Sequence, residues 1–473
     1  MPIGTAQEPL RIAIIGSGPS AFYAAEYLQR QQDWVAEIDM FDRLPTPFGL
    51  VRGGVAPDHP KIKSVTKVYD KIASDPNFRF YGNVTFGKDV DRNDLIARYH
   101  AIIYAVGAQT DRPMGIPGED LPGSYPATEF VGWYNGHPDY RDLEFDLSQE
   151  AVAVVGNGNV AMDVARLLAR THDELLETDI ADYALDALAD SRIKEIYLLG
   201  RRGPIQAKFT SPELKELADL ADADVIVSPD DIELDPYSCE YILTSDDRTA
   251  EHNYQLLKQY AQNHVAGKPK KVIFRFLVSP VEVIGKKRVE ALKLAKNELV
   301  QREDGDLRPR PTGEYETLPV GLVFRSIGYH GVPLPGLPFD DWNGVIPNER
   351  GRIIGRNRLP IAGEYVVGWI KRGPTGIIGT NKPDAQETVY QLTQDVASGH
   401  LLTPDDPSRA AVEDLLQERG VRYVTYDDWR ILDRLEIERG EAIGRPRIKF
   451  TRVEDMLKAL DQYSREMAKL FSA

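Results

Sequence analysis

The 473-residue sequence contains a single cysteine, Cys239. One thiol cannot form an internal disulfide, and it cannot supply the several ligands that an iron–sulfur or zinc site needs. If the protein carries out redox chemistry, an organic cofactor must therefore provide it. A disulfide reductase of the dithiol type is excluded.

Long apolar runs are also absent. No stretch approaches the ~18 consecutive apolar residues that a membrane span requires, so we expect no membrane partner. The N-terminal sequence MPIGTAQEPL lacks the features of a signal peptide or a transit peptide. We therefore expect a cytoplasmic protein, and nothing in the sequence demands more than a monomer.

Acidic residues outnumber basic ones, and the formal net charge is −16. This charge argues against nucleic acid as a general partner, because phosphate binding needs a basic surface. It does not exclude an acidic protein partner, because docking depends on the local potential. Local basic runs do exist, and each could also be an ordinary solvated face: Lys61, Lys63, Lys67 and Lys71, then KPKK at 268–271 and GKKR at 285–288.

A glycine fingerprint follows the first predicted strand, Leu10–Ile15. Gly16, Gly18 and Ala21 have the G-x-G-x-x-A spacing, which permits a tight turn, a close approach to a pyrophosphate and close helix–strand packing. The phosphate is then expected at the helix N-terminus. The next strand ends at Asp42, where an acid can bind ribose hydroxyls. The alternative is a turn that only looks like a dinucleotide site.

A second fingerprint follows a second predicted strand, Ala151–Val155. Gly156, Gly158 and Ala161 repeat the spacing. The strand after this one, IKEIYLLG, comes late because an acidic, helical insertion (173–190) precedes it. It ends at Arg201 and Arg202 without an acid, which suits a 2′-phosphate. The alternative is a pair of ordinary surface arginines.

The two fingerprints therefore predict two different dinucleotides. The arginine site should bind NADP, and the acid site should bind a dinucleotide without a 2′-phosphate, either FAD or NAD. Two nicotinamides would have no carrier between them, whereas a flavin accepts a hydride and releases single electrons. FAD with NADPH is the chemically coherent pair.

The predicted fold class is α/β, with two Rossmann-like dinucleotide-binding domains and the NADP domain inserted into a discontinuous FAD domain. The segments AIIYAVGAQ (101–109) and LVFRSIGYHG (322–331) read as the two crossings between domains. We predict an FAD domain from 1–108 and 326–473 and an NADP domain from 109–325. The polar tail after about residue 400 is predicted to be helical, without an assigned chemistry.

Longer motifs in the chain resemble a known family along nearly its whole length. GSGPSAFYAA, LPTPFGLVRGGVAPDHPKIK, AVGAQTDR, VVGNGNVAMDVAR, GRRGPIQAKFT, SIGYHGVPLPGLPFD and GWIKRGPTGIIGTNKPDAQET occur in this order. This order is similar to that of the adrenodoxin-reductase-type ferredoxin–NADP reductases, especially the actinobacterial members. LVRGGVAPDHP and GWIKRGPTGIIGTNK are far more specific than a glycine fingerprint.

The resemblance implies binding residues for both cofactors. For FAD they are Gly16, Gly18, Ser20, Ala21, Asp42, Leu50, Trp369, Gly376, Ile377 and Ile378, with Gly376 also near the nicotinamide. For NADP they are Arg112, Asn157, Gly158, Asn159, Val160, Arg201, Arg202 and Glu213. Phe86 is a further cofactor-binding candidate. The family often has Glu where this chain has Asp42, and the shorter acid still reaches a ribose.

The resemblance also implies that His59 and Glu216 form the candidate catalytic pair. A positioned imidazole and carboxylate could relay protons as a flavin is reduced and reoxidised. His59 lies in an APDHP turn and could instead bond only to backbone. Glu216 lies on a helix predicted to start with Ser211 as N-cap, where acids are favoured anyway. Hydride transfer needs alignment more than acid–base help, so the pair could be auxiliary.

The GWIKRGPTG segment is expected to lie at the flavin. Trp369 could be a core aromatic residue, but its place beside a Gly-rich turn favours contact with the cofactor. Lys371 and Arg372 would then put positive charge near the flavin and stabilise its anionic reduced form.

The expected function is therefore electron transfer from NADPH through FAD to a one-electron iron–sulfur protein such as a ferredoxin. Several alternatives remain. An electron-input subunit like that of glutamate synthase normally has an N-terminal cysteine cluster, which is absent here. A diaphorase acting on another acceptor, a flavin monooxygenase and a non-catalytic NADP-binding scaffold are the others.

Overall fold

The computed structural model describes residues 3–303 and 305–471. The chain divides into two compact units. Unit 1 comprises the chain up to Val55, His59–Thr110 and the chain from Tyr329 onward, and unit 2 comprises Ala56–Asp58 and Asp111–Gly328. The chain therefore enters unit 2 once briefly before its long insertion, which the predicted division at residues 108 and 325 did not include.

Strands and helices alternate in the first part of unit 1. Its elements are β1 (Leu10–Ile15), α1 (Pro19–Gln29), β2 (Ala36–Phe41), α2 (Leu50–Gly53), α3 (Pro60–Lys63), α4 (Thr66–Ala73), β3 (Phe78–Tyr81), α5 (Arg92–Ile96), β4 (Ala101–Tyr104) and β5 (Thr110–Asp111, at the boundary).

Unit 2 has the same alternation, followed by an antiparallel addition. Its elements are β6 (Ser124–Pro126), α6 (Ala127–Tyr134), β7 (Ala151–Val155), α7 (Asn159–Ala169), α8 (His172–Leu176), α9 (Asp182–Ala189), β8 (Glu195–Leu199), α10 (Ser211–Glu216), β9 (Ala223–Val227), α11 (Pro236–Thr244), α12 (Arg248–Gln262), β10 (Lys270–Arg275), β11 (Val278–Ile284), β12 (Ala291–Gln301), β13 (Leu307–Pro319) and β14 (Leu322–Arg325).

The chain then returns to unit 1 and ends in helices. These elements are β15 (Tyr329–His330), β16 (Asn348–Glu349), β17 (Arg352–Ile354), β18 (Pro360–Val366), α13 (Trp369–Arg372), α14 (Asn381–Ser398), α15 (Ala411–Glu418), α16 (Tyr426–Glu441) and α17 (Val453–Phe471). Among the described residues, no helix has the length and apolar character needed to cross a membrane.

Each unit is built on a parallel sheet. The unit 1 sheet has the order β16-β17-β18-β4-β1-β2-β3. The pairs β16–β17 and β17–β18 are antiparallel, and the other pairs are parallel. The unit 2 sheet has the order β6-β14-β7-β8-β10-β9 and is entirely parallel. A separate antiparallel sheet, β11-β12-β13, also belongs to unit 2.

The strand register places the predicted binding residues at one edge of each sheet. In unit 1, Ile15 pairs with Phe41, so the first glycine turn and Asp42 begin side by side. In unit 2, Val155 pairs with Leu199, so the second glycine turn begins beside the arginine pair. Ligands bind at this carboxyl edge in open α/β sheets. The α/β fold with two Rossmann-like units is confirmed.

The C-terminal helices pack on the segment that follows β2. Glu436 on α16 is fully buried, and its carboxylate accepts hydrogen bonds from both Nη atoms of Arg52, at 2.9 and 2.5 Å. Arg447 (3.2 Å) and the backbone N–H of Phe450 (2.8 Å) bind the same carboxylate. Burial alone would raise the pKa of Glu436, but the charges and hydrogen bonds of Arg52 and then Arg447 lower it. The Trp429 ring lies 5.1 Å from the Arg52 guanidinium.

We expect Glu436→Gln to destabilise the protein. Glutamine keeps the shape of the side chain but removes the counter-charge of the half-buried Arg52, whereas Arg447 keeps its pair with Asp433. We expect a loss of about 3 kcal/mol. A lower unfolding temperature of the flavin-bound protein would show this loss. Asp427→Asn, which breaks only the exposed pair between Asp427 and Arg430, is the control and should change little. An equal effect in both variants would contradict the role of Glu436.

Candidate functional site

The glycine turn of unit 1 has one closed and one open side. Gly16 has φ +102°, and a Cβ there would lie 2.5 Å from the Ala105 carbonyl oxygen, so the fold itself requires glycine. Gly18 has ordinary extended angles, and a Cβ there would meet no protein atom within 4 Å. This open backbone lies directly before α1. Ala21 is completely buried, as the fingerprint requires. The turn therefore fits a pyrophosphate at a helix N-terminus.

A strained segment lies beside this turn. Phe48 has φ +85°, an unusual angle for a residue with a side chain, and its N–H donates to the Ser17 carbonyl at 2.9 Å. Gly49 follows with φ +49°, and a Cβ on it would lie 3.0 Å from Gly18 Cα. Leu50 then begins α2 with a partly exposed side chain. Such strain is typical of functional sites, because surrounding contacts must maintain it.

The WIKR segment reaches the same turn from β18. Gly368, at φ +78°, approaches α1 so closely that a Cβ would lie 2.5 Å from Ser20 Oγ. Trp369 is half-buried against Tyr329, with ring centroids 5.1 Å apart, and its Nε1 donates to the Thr375 carbonyl at 3.1 Å. The segments carrying Gly18, Leu50 and Trp369 are therefore brought together within unit 1.

The loop after Trp369 presents backbone at the surface of unit 1. Gly376 has φ +81° and is exposed, and the side chain of Ile377 is 63% exposed. The Ile377 N–H donates to Thr380 Oγ1 at 3.0 Å. Ile378 is half-buried and packs on the unit 1 core.

Lys371 and Arg372 are paired with carboxylates. Lys371 is buried, and its Nζ lies 3.2 Å from Asp384 and 3.0 Å from Glu387. Arg372 Nη1 also lies 3.2 Å from Asp384. The expectation that these cations stabilise a reduced flavin stays a prediction. Their carboxylate partners lie on α14, and nothing in the motif itself indicated the pairing.

Asp42 lies at the carboxyl edge of the sheet, where the fingerprint predicts an acid. Its carboxylate accepts from Ser17 N (3.0 Å), Ser17 Oγ (2.5 Å) and Leu44 N (2.9 Å). Burial raises the pKa of Asp42, and the hydrogen bonds from Ser17 and Leu44 oppose the rise. Phe86 packs edge-on against Tyr104, with centroids 5.6 Å apart, in the unit 1 core.

The glycine turn of unit 2, like that of unit 1, has one closed and one open side. Gly156 has φ +134°, and a Cβ there would lie 2.1 Å from the Ser326 carbonyl oxygen. Gly158 has ordinary angles and an open side, where a Cβ would meet no protein atom within 4 Å. The flanking Asn157 accepts from Lys208 N through its carbonyl (3.0 Å), and Asn159 Oδ1 accepts from Thr210 N (2.8 Å). Val160, half-buried, lies in the first turn of α7.

The arginine pair follows β8. Arg201 is exposed and Arg202 is half-buried, and neither side chain forms an ion pair with another described residue. Burial, followed by the charge of Arg201, lowers the pKa of Arg202; the charge of Asp306 opposes this shift, and Arg308 on β13 adds to it. The site therefore holds two neighbouring cations without a described ion-pair partner, which suits a phosphate. Arg112, also exposed, lies at the start of the long insertion, and its N–H donates to the Gly328 carbonyl at 3.0 Å.

Known proteins resemble this chain over nearly its full length. The pyridine nucleotide–disulphide oxidoreductase family model matches residues 10–202. NADPH-ferredoxin reductase FprA of Mycobacterium tuberculosis is 49% identical, covering 95% of this chain and 99% of its own. Human mitochondrial NADPH:adrenodoxin oxidoreductase is 40% identical, covering 96% and 93%. A solved structure of Mycobacterium tuberculosis FprA in complex with NADPH has a TM-score of 0.89 and 47% identity, covering 96% of this chain and 100% of that one.

The chain belongs to the adrenodoxin-reductase-type family of ferredoxin–NADP reductases. The predicted family is thus confirmed. The one cysteine of the chain, Cys239, is exposed and is no part of either glycine turn.

A buried arginine organises the acidic residues of unit 2 in this reductase. The Arg166 guanidinium is completely buried and binds Asp58 (2.7 Å), Asp163 (2.7 Å), Glu213 (2.8 Å) and Glu216 (3.4 Å). None of the sequence motifs indicated a role for Arg166 or Asp58. The signal available was an arginine in the otherwise apolar run VAMDVARLLA, where burial without partners would be prohibitive.

The two candidate catalytic residues belong to different units. His59 is the N-cap residue of α3 in unit 1, and its carbonyl accepts from Lys63 N at 3.2 Å. Glu216 ends α10 in unit 2. The N-cap of that helix is Thr210 and not Ser211, because Thr210 has the extended angles and Ser211 already forms the first turn.

We expect Gly158→Ala to weaken NADPH binding without disturbing the fold. The methyl group enters only the open side of the turn, where a pyrophosphate is expected, and the backbone angles suit alanine. The KM for NADPH should rise about tenfold, or ~1.4 kcal/mol. Flavin content and the unfolding temperature should not change.

Gly156→Ala provides the contrast. Its methyl would collide with backbone, and its φ of +134° is unsuitable for alanine, so we expect a destabilised protein. An unchanged KM in Gly158→Ala would contradict the assignment of the open turn.

Proposed function

We propose that this chain is a flavoenzyme that oxidises NADPH and passes the electrons through FAD to a small iron–sulfur protein of the ferredoxin type. The observation that carries the proposal is the asymmetry of two similar turns. Both glycine turns have an open side before a helix N-terminus, but one lies beside Asp42 and the other beside Arg201 and Arg202. The full-length relatives with ferredoxin or adrenodoxin in their names support the same acceptor class.

Unit 1 is proposed to hold FAD. Gly18 and the α1 N-terminus would bind the pyrophosphate, Asp42 the ribose, and Leu50, Trp369 and the backbone of 376–378 the ring system. FAD, when bound, supplies the change from two-electron to one-electron transfer. The protein residues orient it, because hydride transfer requires close alignment of donor and acceptor carbons.

Unit 2 is proposed to hold NADPH. Gly158 and the α7 N-terminus would bind its pyrophosphate, and Arg201 and Arg202 its 2′-phosphate, with Arg112 and Glu213 as further binding residues. A guanidinium binds phosphate through two parallel hydrogen bonds, so an arginine pair favours NADPH over NADH.

We keep His59 and Glu216 as the proposed proton-transfer residues. Glu216 is half-buried and lies 3.4 Å from Arg166, so its carboxylate is held in position. Phe86 is retained as a cofactor-binding candidate, although its contact with Tyr104 favours a structural role. The cytoplasmic location, the monomeric state and the absence of nucleic acid partners also stay predictions.

The decisive experiment is an anaerobic titration of the purified protein, first with NADPH, separately with NADH, and then with a ferredoxin. We expect NADPH to bleach a flavin absorption band, NADH to bleach it less, and ferredoxin to restore it. A flavin that is reduced but ignores every ferredoxin would favour a diaphorase. A protein with no flavin band, even after FAD addition, would contradict the proposed mechanism.

The iron–sulfur partner is proposed to dock on α3 and α4 of unit 1. Lys61 and Lys67 are exposed and form no ion pair with any other described residue. Lys63 lies on the same run. Ile62 and Val68, 42% and 45% exposed, add apolar surface beside these cations. An acidic partner would be attracted here in spite of the overall charge of −16.

We expect the double charge reversal Lys61→Glu, Lys67→Glu to weaken this docking. The KM for ferredoxin should rise about fivefold, and its dependence on salt should flatten, because steering by unlike charges is lost. Lys287→Glu, at the exposed turn between β11 and β12, makes the same kind of charge change and should leave the KM unchanged. If reduction of ferricyanide by NADPH fell equally, the docking assignment would be wrong.

A further inference from the structure

The antiparallel sheet of unit 2, β11–β13, binds the backbone of the arginine turn. Three consecutive carbonyls, those of Gly200, Arg201 and Arg202, accept hydrogen bonds from this sheet or from the residue just before it. Val278 N–H donates to Gly200 (3.1 Å) and Leu277 N–H donates to Arg202 (3.2 Å). The middle carbonyl, that of Arg201, accepts from a side chain, the Nδ2 amide of Asn297, at 3.0 Å.

Asn297 lies on β12 at an irregularity in the pairing with β13. Ala295 pairs with Tyr315 and Asn297 with Pro311, so the extra residues of this irregularity lie on β13. Asn297 is buried, whereas Lys296 and Glu298 on either side of it are exposed. Its polar amide therefore lies in the core, where a polar group needs partners.

The donor capacity of this amide is fully used. Its second contact is to Ser279 Oγ on β11, at 2.8 Å, and a side-chain amide has two N–H bonds to give. The Asn297 backbone N–H also donates to the Leu277 carbonyl at 2.7 Å. Leu277 has φ +53°, a strained angle for a branched residue, so neighbouring contacts must maintain its conformation.

We propose that Asn297 is a positioning residue for recognition of the 2′-phosphate of NADPH. The proposal deepens the proposed function and rests on it. The Arg201 carbonyl and the Arg202 N–H belong to one rigid peptide plane. Holding that oxygen, with the flanking carbonyls held by backbone, therefore fixes the Cα–Cβ directions of both arginines. The adjacent like charges are then kept in place before the phosphate arrives, so less conformational freedom is lost on binding.

The test is Asn297→Asp in the flavin-bound protein. The substitution keeps the shape but replaces both donors by an acceptor that faces the Arg201 carbonyl oxygen. Calorimetric binding of adenosine 2′,5′-bisphosphate should weaken about tenfold, while binding of adenosine 5′-monophosphate should stay the same. In steady-state assays the KM for NADPH should rise, and kcat and the KM for NADH should not change.

Two further variants separate this role from a general loss of stability. Asn135→Asp removes another buried amide of unit 2, which donates to the Val131 carbonyl at 3.1 Å, and it should leave the ratio of the two affinities unchanged. Ser279→Ala keeps the amide but removes one of its partners. It should weaken the binding of adenosine 2′,5′-bisphosphate by a smaller factor than Asn297→Asp does. If Asn297→Asp does not fold, this variant tests the positioning role in its place.

The outcome also distinguishes failure of this inference from failure of the proposed function. If Arg201→Ala and Arg202→Ala leave the preference for the 2′-phosphate intact, the assignment of the NADP site is wrong. If those variants abolish the preference but Asn297→Asp and Ser279→Ala do not alter it, the positioning role of Asn297 is overturned. Equal weakening of both adenosine nucleotides in Asn297→Asp would also overturn it.

Discussion

The positions of four acidic residues of unit 2 depend on one interaction, their ion pairs with the buried guanidinium of Arg166. This guanidinium joins α7, which begins at the open turn of Gly158, to α10, which carries Glu213 and Glu216. It also binds Asp58, which lies in the short segment Ala56–Asp58 of unit 2, and Ala56 in the same segment is buried in the unit 2 core. Removing a partner from a buried charge is strongly destabilising, so Arg166 and its four carboxylates hold α7 and α10 together.

Each dinucleotide unit is completed by an element that a minimal Rossmann fold does not contain. In unit 1, α16 of the C-terminal tail binds Arg52 through Glu436 and packs Trp429 against Phe48, which helps to maintain the strained Phe48–Gly49 backbone beside Gly18. In unit 2, β11–β13 and the residue before them bind the backbone of 200–202. Both additions therefore secure a segment next to a cofactor turn, and the polar tail has a structural role after all.

The sequence predicted those features whose cause is local. Strand Ala151–Val155, both fingerprints and the two parallel sheets follow from apolar runs and glycine spacing, and the structure has them. It could not predict that Lys371 pairs with Asp384 and Glu387, because that pairing depends on how α13 packs on α14. The sequence also could not predict the burial of Arg166 or the direction of the Asn297 amide. The first requires partners distant in sequence, and the second depends on how β12 pairs with its neighbouring strands.

Arg201 and Arg202, the proposed phosphate-binding residues, differ from the framework arginines of this chain. Arg11, Arg52, Arg166 and Arg352 are buried or half-buried, and each is bound to at least one carboxylate, as the stability of a folded protein demands. Within the described part of the chain, Arg201 and Arg202 have no such partner, and burial followed by the charge of Arg201 lowers the pKa of Arg202. A fold that holds two unpaired like charges side by side accepts a cost in stability. The arrangement makes physical sense when an anionic group relieves the repulsion, and local rules are broken in this way at functional sites.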